Sequence, residues 1–173
     1  MEKKTPAQSR TTTTDLVLPG ETNHLNAMFG GELLARMDRA ASIASQRHAG
    51  CATVTVSVNH VAFNHSIPVG SIVTVEANIS RAFSTSMEVY IDVWMENMQG
   101  ERTKANEAIY TFVAVDEQNH PVRIPEIDPQ TELEKIRYNG ALQRRQLSLV
   151  LAGKLSPHDA TELKALFTEL ENC

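Results

Sequence analysis

The sequence has little of what several classes of protein require. Its 173 residues include only two cysteines, Cys51 and Cys173, which offer neither a disulfide framework nor a CxxC metal site. The apolar runs are too short for a membrane span, and residues 1–14 have no apolar core of the kind a signal peptide carries. We therefore expect a protein of the reduced cytoplasm, with no metal site and no membrane partner.

Positive charge is also scarce, because the formal net charge is -5. Nucleic-acid binding requires a concentrated basic face that neutralises phosphates. Nucleic acid is therefore not expected as the main partner. A small anionic ligand needs only a few local arginines or lysines and stays compatible with this charge.

The length and composition of the chain are typical of a single domain with a hydrophobic core, since 42% of the residues are hydrophobic. β-Branched side chains at residues 11–18 predict a first strand, and a long helix follows. Beyond the helix the apolar period changes to two, which predicts strands at about 52–63, 73–80, 86–96 and 103–115. The predicted fold class is α+β, one long helix packed on a curled antiparallel sheet.

The predicted helix begins at Gly30-Gly31 and ends before Gly50, where a C-terminal cap is expected. Its apolar stripe consists of Leu33, Leu34, Met37, Ala41 and Ala44, and its polar side of Arg36, Arg39 and Gln46.

The C-terminal part differs in kind. Asp128-Pro129 and Ser156-Pro157 each place a capping side chain before a proline, and they predict helices at about 129–152 and 157–171. We interpret this part as a stabilising or oligomer-contacting extension rather than a regulatory module. The predicted organisation is a flexible N-terminus at 1–10, a main domain at 11–127 and a helical extension at 128–173.

The carboxylate of Asp38 lies at an unusual position, on the face of the predicted helix that is expected to be buried. Asp38 shares a stripe of the helix with Leu34 and Ala41, where a charge loses hydration unless donors compensate. At the helix entrance, Gly30 and Gly31 let a ligand approach the free backbone N–H groups of the first turn. Such groups stabilise an oxyanion, but Asp38 lies roughly 10 Å further along the axis. A partner subunit would have to bring another helix entrance beside it.

Several separated motifs of the sequence occur together: Thr22-Asn23, Phe29-Gly30-Gly31, Met37-Asp38, Arg47-His48, TSMEV at 85–89 and TFVAVD at 111–116. They resemble the motifs of one family, the hotdog-fold acyl-CoA thioesterases of the acyl-CoA hydrolase type that includes the brain-type long-chain enzymes. The resemblance covers about residues 11–127 and implies a hotdog fold, in which the sheet wraps around the long helix.

The resemblance also implies a chemistry. Asp38 would activate water or attack the thioester itself, and Asn23 of another subunit would help to hold the water or substrate. The amides of Gly30 and Gly31 would polarise the thioester carbonyl. The polar strand entrance at Ser84, Thr85 and Ser86 would contact CoA, which is part of the substrate and of the product, so that no separate cofactor is expected. The implied assembly is a homodimer that builds a homohexamer.

Two other functions stay open on this fold. A hydroxyacyl-thioester dehydratase requires a histidine and a carboxylic acid, for which His24 and Asp38 are candidates. A non-catalytic acyl-CoA sensor would use the same pocket. The stretch SVNHVAFNHSIP departs from the family pattern at Asn59, Ala62, Asn64 and His65, which bears on substrate preference but leaves Asn23 and Asp38 in place.

Overall fold

The computed structural model describes residues 3–171, with side chains as far as residue 167. The chain divides into two compact units, residues 1–128 and 129–173, which are described separately. None of the described helices is long and apolar enough to cross a membrane.

A five-stranded antiparallel sheet is the main layer of the first unit. Its strands are β2 Thr11–Leu16, β3 Ala52–Phe63, β4 Ile72–Ala82, β5 Ser86–Glu96 and β6 Arg102–Val115. They lie side by side in the order β2-β4-β5-β6-β3, and a separate parallel pair joins β1 Lys3–Lys4 to β7 Glu126–Ile127. In the inner strands every second side chain is buried toward the helix, as the period-two pattern predicts.

The long helix α2, Gly30–Ala49, packs on this sheet and confirms the predicted α+β layer. Gly50 ends it in the left-handed conformation, with φ of 72°, which glycine adopts without steric cost. In the last turn, the buried His48 donates its Nε2–H to the carbonyl of Pro125 at 2.8 Å, and burial lowers the pKa of its ring.

The prediction that Arg36 lies on the polar side of the helix is wrong, because its side chain is only 6% exposed. Its guanidinium donates to Asp15 Oδ2 at 3.1 Å and to Glu21 Oε1 at 2.8 Å. The pKa of Asp15 is lowered mainly by its hydrogen bond from Arg36 and next by the hydrogen bond from the Leu16 N–H. The pKa of Glu21 is lowered mainly by the hydrogen bond from the Leu18 N–H and next by that from Arg36. The segment before the helix covers this side, which helix periodicity does not predict.

Residues 3–10, for which the sequence predicts a loose N-terminus, contain secondary structure. Besides β1, they contain a short helix α1, Pro6–Ser9. Ser9 is fully buried, and its hydroxyl accepts the N–H of Ile79 at 3.0 Å while it donates to the Pro6 carbonyl. The long-range hydrogen bond from Ile79 joins to the sheet a segment whose polar composition alone resembles a tail.

Strand β3 is one edge of the sheet and is interrupted by register shifts after Thr55 and after Val58. Val54, Val56 and Val58 are 44%, 53% and 48% exposed. An edge strand that presents apolar side chains and free backbone groups is a surface that another chain can pair with.

The second unit contains two helices, α3 Glu132–Leu151 and α4 Thr161–Glu171. Thr131 caps α3 and accepts the Glu134 N–H, so the helix begins later than Pro129, and Ser156-Pro157 opens a short 3-10 turn before α4. Gln146 on α3 accepts the N–H of Leu163 on α4 at 2.9 Å.

Candidate active site

The loop before α2 is organised by Asn23. Its Oδ1 accepts the N–H of Leu25 at 2.8 Å and of Ala27 at 3.3 Å, and its own N–H binds the Ala27 carbonyl. Asn26 takes a left-handed conformation, with φ of 56°, which asparagine tolerates better than most residues. The two accepted N–H groups fix the orientation of the Asn23 amide, so its NH₂ group is the part left for other contacts.

The N-terminus of α2 is uncovered. Phe29 precedes the helix and offers no side-chain cap, while its carbonyl accepts the N–H of Leu33. A Cβ on Gly30 would lie 3.4 Å from the ring of Phe63, and a Cβ on Gly31 would meet nothing within 4 Å. Gly30 and Gly31 are exposed and no side chain caps the helix, so the first-turn amides and the positive end of the helix dipole suit an anion or a polarised carbonyl.

A cavity of about 310 Å³ lies at this helix entrance. Its size is at the lower end for small-molecule sites, and its walls are mainly apolar with a few polar groups, as is typical of such sites. The apolar lining is Ala27, Met28, Leu33, Phe63 and Ile67, and the remaining lining is Asn23, Gly30, His65, Ser66 and Asn106.

Asp38 is half-buried two turns further along α2. Its Oδ1 accepts the hydroxyl of Thr55 on β3 at 2.9 Å, which fixes the orientation of the carboxylate. The buried Tyr110 donates its hydroxyl to the carbonyl of Leu34, one helical turn before Asp38, at 3.4 Å. Burial, and then the charge of Asp38, raise the pKa of Tyr110 to about 12, so this hydroxyl stays protonated.

Within one chain the predicted residues form two separate groups. Asn23 and Gly30 share the cavity, whereas Asp38 does not line it. Eight residues of helix separate Gly30 from Asp38, about 12 Å along the axis. Gly31 stands beside Gly30 in the first turn, outside the cavity lining.

Ser84, Thr85 and Ser86 lie toward the end of the sheet where Thr55 meets Asp38. Ser86 pairs with Val113 on β6, and Val113 pairs in turn with Val54 on β3. The carbonyls of Ser84 and Thr85 accept the N–H groups of Ile124 and Ala114. The turn is thereby held by its backbone, which leaves the side-chain hydroxyls for other contacts.

Sequence reasoning missed three residues of these two groups: Thr55, Tyr110 and Asn106. Each lies on a strand and looks like an ordinary member of an alternating pattern. Only the way in which the helix crosses the sheet determines which strand positions face Asp38 and which face the cavity. Among the side chains of residues 3–167, no group of histidine, cysteine, aspartate or glutamate is placed to hold a metal ion.

The chain is similar in sequence to proteins of one family. The profile of the Thioesterase superfamily matches residues 25–101. Protein VdlD of Helicobacter pylori is 42% identical over 133 residues, which are 76% of this chain and 76% of that protein. The uncharacterized acyl-CoA thioester hydrolase YkhA of Bacillus subtilis is 38% identical over 79% of this chain and 80% of its own. Acyl-coenzyme A thioesterase 11 of Mus musculus is 41% identical, but the chain spans only 23% of its length.

Solved structures are similar over nearly the whole chain. An apo-hexameric acyl-CoA thioesterase matches with a TM-score of 0.85 and 40% identity, over 88% of this chain and 98% of its own. Acyl-CoA hydrolase of Staphylococcus aureus, solved in complex with butyryl coenzyme A, coenzyme A and coenzyme A disulfide, matches with a TM-score of 0.83 and 30% identity, over 98% of this chain and 99% of its own.

Alanine variants of the Staphylococcus aureus hydrolase have also been solved, with an asparagine, an aspartate or a threonine replaced. Its asparagine and aspartate are fifteen residues apart, and its aspartate and threonine are seventeen apart. Asn23, Asp38 and Thr55 have the same two spacings. Together with the fold and the identity over 76–80% of bacterial relatives' length, these matches show that the chain belongs to the thioesterase superfamily, among the hotdog-fold acyl-CoA thioester hydrolases.

Proposed function

We propose that the protein hydrolyses acyl-CoA thioesters to a free carboxylic acid and CoA, with Asp38 as the general base. Asp38 takes a proton from water as the water oxygen bonds to the thioester carbon. The carbonyl becomes an oxyanion, and when it re-forms, the C–S bond breaks and the CoA thiolate leaves. The proton held by Asp38 returns to solvent or to the thiolate. CoA enters as part of the substrate and leaves as a product, so the reaction uses no further cofactor.

The first-turn amides of α2 at Gly30 and Gly31 are the proposed oxyanion donors. Backbone N–H groups held by a helix cost no reorganisation when the charge develops. Asn23, whose amide oxygen is already bound within its loop, presents its NH₂ group to the water or to the thioester oxygen. A thiolate leaves easily, so a carboxylate is an adequate base.

The observation that carries the proposal is the placement of the two half-sites at opposite ends of one edge strand. Thr55, near the start of β3, holds Asp38, and Phe63, at its end, touches the position of Gly30. If the β3 strands of two subunits pair antiparallel about a two-fold axis, the start of one meets the end of the other. Asp38 of one subunit then lies beside the cavity of its partner.

The exposed valines of β3 support this pairing, because they would be removed from water in the dimer. We further propose that three such dimers form a homohexamer, a state that the apo-hexameric thioesterase has. Ser84, Thr85 and Ser86 are proposed to contact CoA, since their turn lies toward the Asp38 end of the sheet.

The geometry favours hydrolysis over dehydration. His24, the histidine that a dehydratase would require, is exposed on the loop and does not line the cavity. A binding-only sensor would not need the carboxylate of Asp38 to be oriented by a hydroxyl.

The test is thiol release from short-, medium- and long-chain acyl-CoAs by the wild type and by Asp38→Asn. The amide keeps an oxygen for the Thr55 hydroxyl, so the shape is preserved while the base is lost. Turnover should fall by about 10²–10⁴-fold with CoA binding retained. Glu117→Gln removes an exposed carboxylate elsewhere and should leave turnover unchanged. Full activity of Asp38→Asn would refute the assignment, and no release from any substrate by the wild type would refute the function.

A further inference from the structure

Asn106 is a buried amide at the cavity. It lies on β6, opposite Phe63 of β3 and Val93 of β5. Val93 is fully buried on the side of the sheet that faces the helix, which places Asn106 on that side too. Asn106 is only 1% exposed, and its Oδ1 has no hydrogen-bond partner among the described residues.

Such an arrangement opposes folding, because a buried polar atom without a partner costs about 1–3 kcal/mol. Two other buried side-chain atoms lack a partner in the part of the chain that the structure describes, Nδ1 of His48 and Nε1 of Trp94. His48 is held through its other nitrogen, and the indole of Trp94 lies under the guanidinium of Arg102 at 4.8 Å. Of the three residues, Asn106 alone lines the cavity.

Asn106 also lies close to the place where the thioester is proposed to bind. Directly paired residues on neighbouring antiparallel strands have Cβ atoms about 5 Å apart, which gives the separation of Phe63 and Asn106. The ring of Phe63 in turn reaches the position of Gly30. Asn106 is therefore about one side-chain length from the helix entrance, on the far side of Phe63.

Asn23, His65 and Ser66 also line the cavity, but none of them is a hydrogen-bond partner of the Asn106 Oδ1. Met28, Leu33 and Ile67 are buried and apolar. An amide among apolar walls is left unpaired by a plain hydrocarbon chain and is satisfied by a chain that carries a polar group at the right depth.

We infer that Asn106 determines acyl-group specificity, and that it selects short acyl chains that carry a hydroxyl group a few carbons from the thioester carbonyl. This inference rests on the proposed function. A hydroxyl group both donates and accepts hydrogen bonds. It therefore pairs with the Asn106 side chain whether the amide oxygen or the NH₂ group faces the cavity. The cavity of about 310 Å³ has room for a short acyl chain.

The test compares kcat/KM for 3-hydroxybutyryl-CoA and butyryl-CoA, which differ by one hydroxyl group. The wild type should prefer the hydroxy substrate by roughly tenfold or more, since the plain chain leaves the amide unpaired. Asn106→Leu, similar in shape but apolar, should abolish this preference, mainly by a faster reaction with butyryl-CoA. Ile67→Val is the matched control, because it enlarges the same cavity without changing its polarity and should affect both substrates alike.

Thermal unfolding separates a ligand-binding role from a structural one. Asn106→Leu removes the unpaired amide and should melt at the same temperature as the wild type or higher, whereas loss of a structural hydrogen bond would lower it. If Asn106→Leu does not fold, the wild-type preference between the two substrates decides. Equal kcat/KM values in the wild type, or a preference unchanged in Asn106→Leu, would overturn the inference and leave hydrolysis standing. No thiol release from either substrate would instead refute the proposed function.

Discussion

Subunit complementation tests the shared site directly. Asn23→Ala and Asp38→Asn each disable both sites of a homodimer if every site takes Asn23 from one subunit and Asp38 from the other. A mixed dimer of the two variants then has one site with both defects and one site with none. The mixture should regain activity that neither variant has alone.

The magnitude follows from the two-fold symmetry. Equal co-expression gives random pairing, so about half of the dimers are mixed, and half of the sites in these are intact. Thiol release should reach about one quarter of the wild-type rate per subunit. The variants would carry different affinity tags, so that the mixed dimers are also isolated and assayed separately.

A second co-expression experiment serves as the control and combines the double variant Asn23→Ala/Asp38→Asn with the wild type. If the site is shared, every mixed dimer is inactive, and about one quarter of the activity remains, all of it in wild-type homodimers. If the site lies within one chain, about half remains. No recovery in the first arm together with half-activity in the second would refute the reasoning.

Two further predictions concern the helix entrance and its support. Gly30→Ala should keep the melting temperature, because the new Cβ only touches Phe63 at 3.4 Å, yet lower kcat/KM roughly tenfold by narrowing the cavity mouth. Arg36→Met should lower the free energy of unfolding by about 2 kcal/mol at pH 7, less than for a fully buried pair, since Asp15 is 63% exposed. Because the folded pKa of Asp15 is lowered, its contribution is present above its ordinary pKa of 3.8 and is lost as pH falls through the folded pKa. Urea unfolding should therefore show less acid destabilisation in Arg36→Met than in the wild type, and equal losses would contradict the assigned ion pair.

Much of the first unit follows from local patterns. The period-two stretches became β3 to β6 almost at the predicted bounds, because a strand buried on one face must alternate. Gly50 ends α2 as expected, since few other residues adopt its backbone conformation without strain. The motifs around Asn23 and Asp38 indicated the family, because they lie in one continuous stretch of sequence.

Other features depend on contacts between residues far apart in the chain. The burial of Arg36 depends on Asp15 and Glu21, and the order of the N-terminus depends on Ser9 binding the backbone of β4. The hydrophobic periodicity of a single helix or strand does not predict which distant residues its side chains will contact.

The sequence by itself therefore determined the elements, their order and the chemical character of the helix entrance, because these depend on neighbouring residues. Only the tertiary structure decided which strand residues meet Asp38 and which line the cavity. The register of β3 on β6 and the crossing of α2 over the sheet place Thr55 against the carboxylate and Asn106 beside the cavity. A shift of one residue in the register of β3 would turn Thr55 to the opposite face of the sheet, away from Asp38.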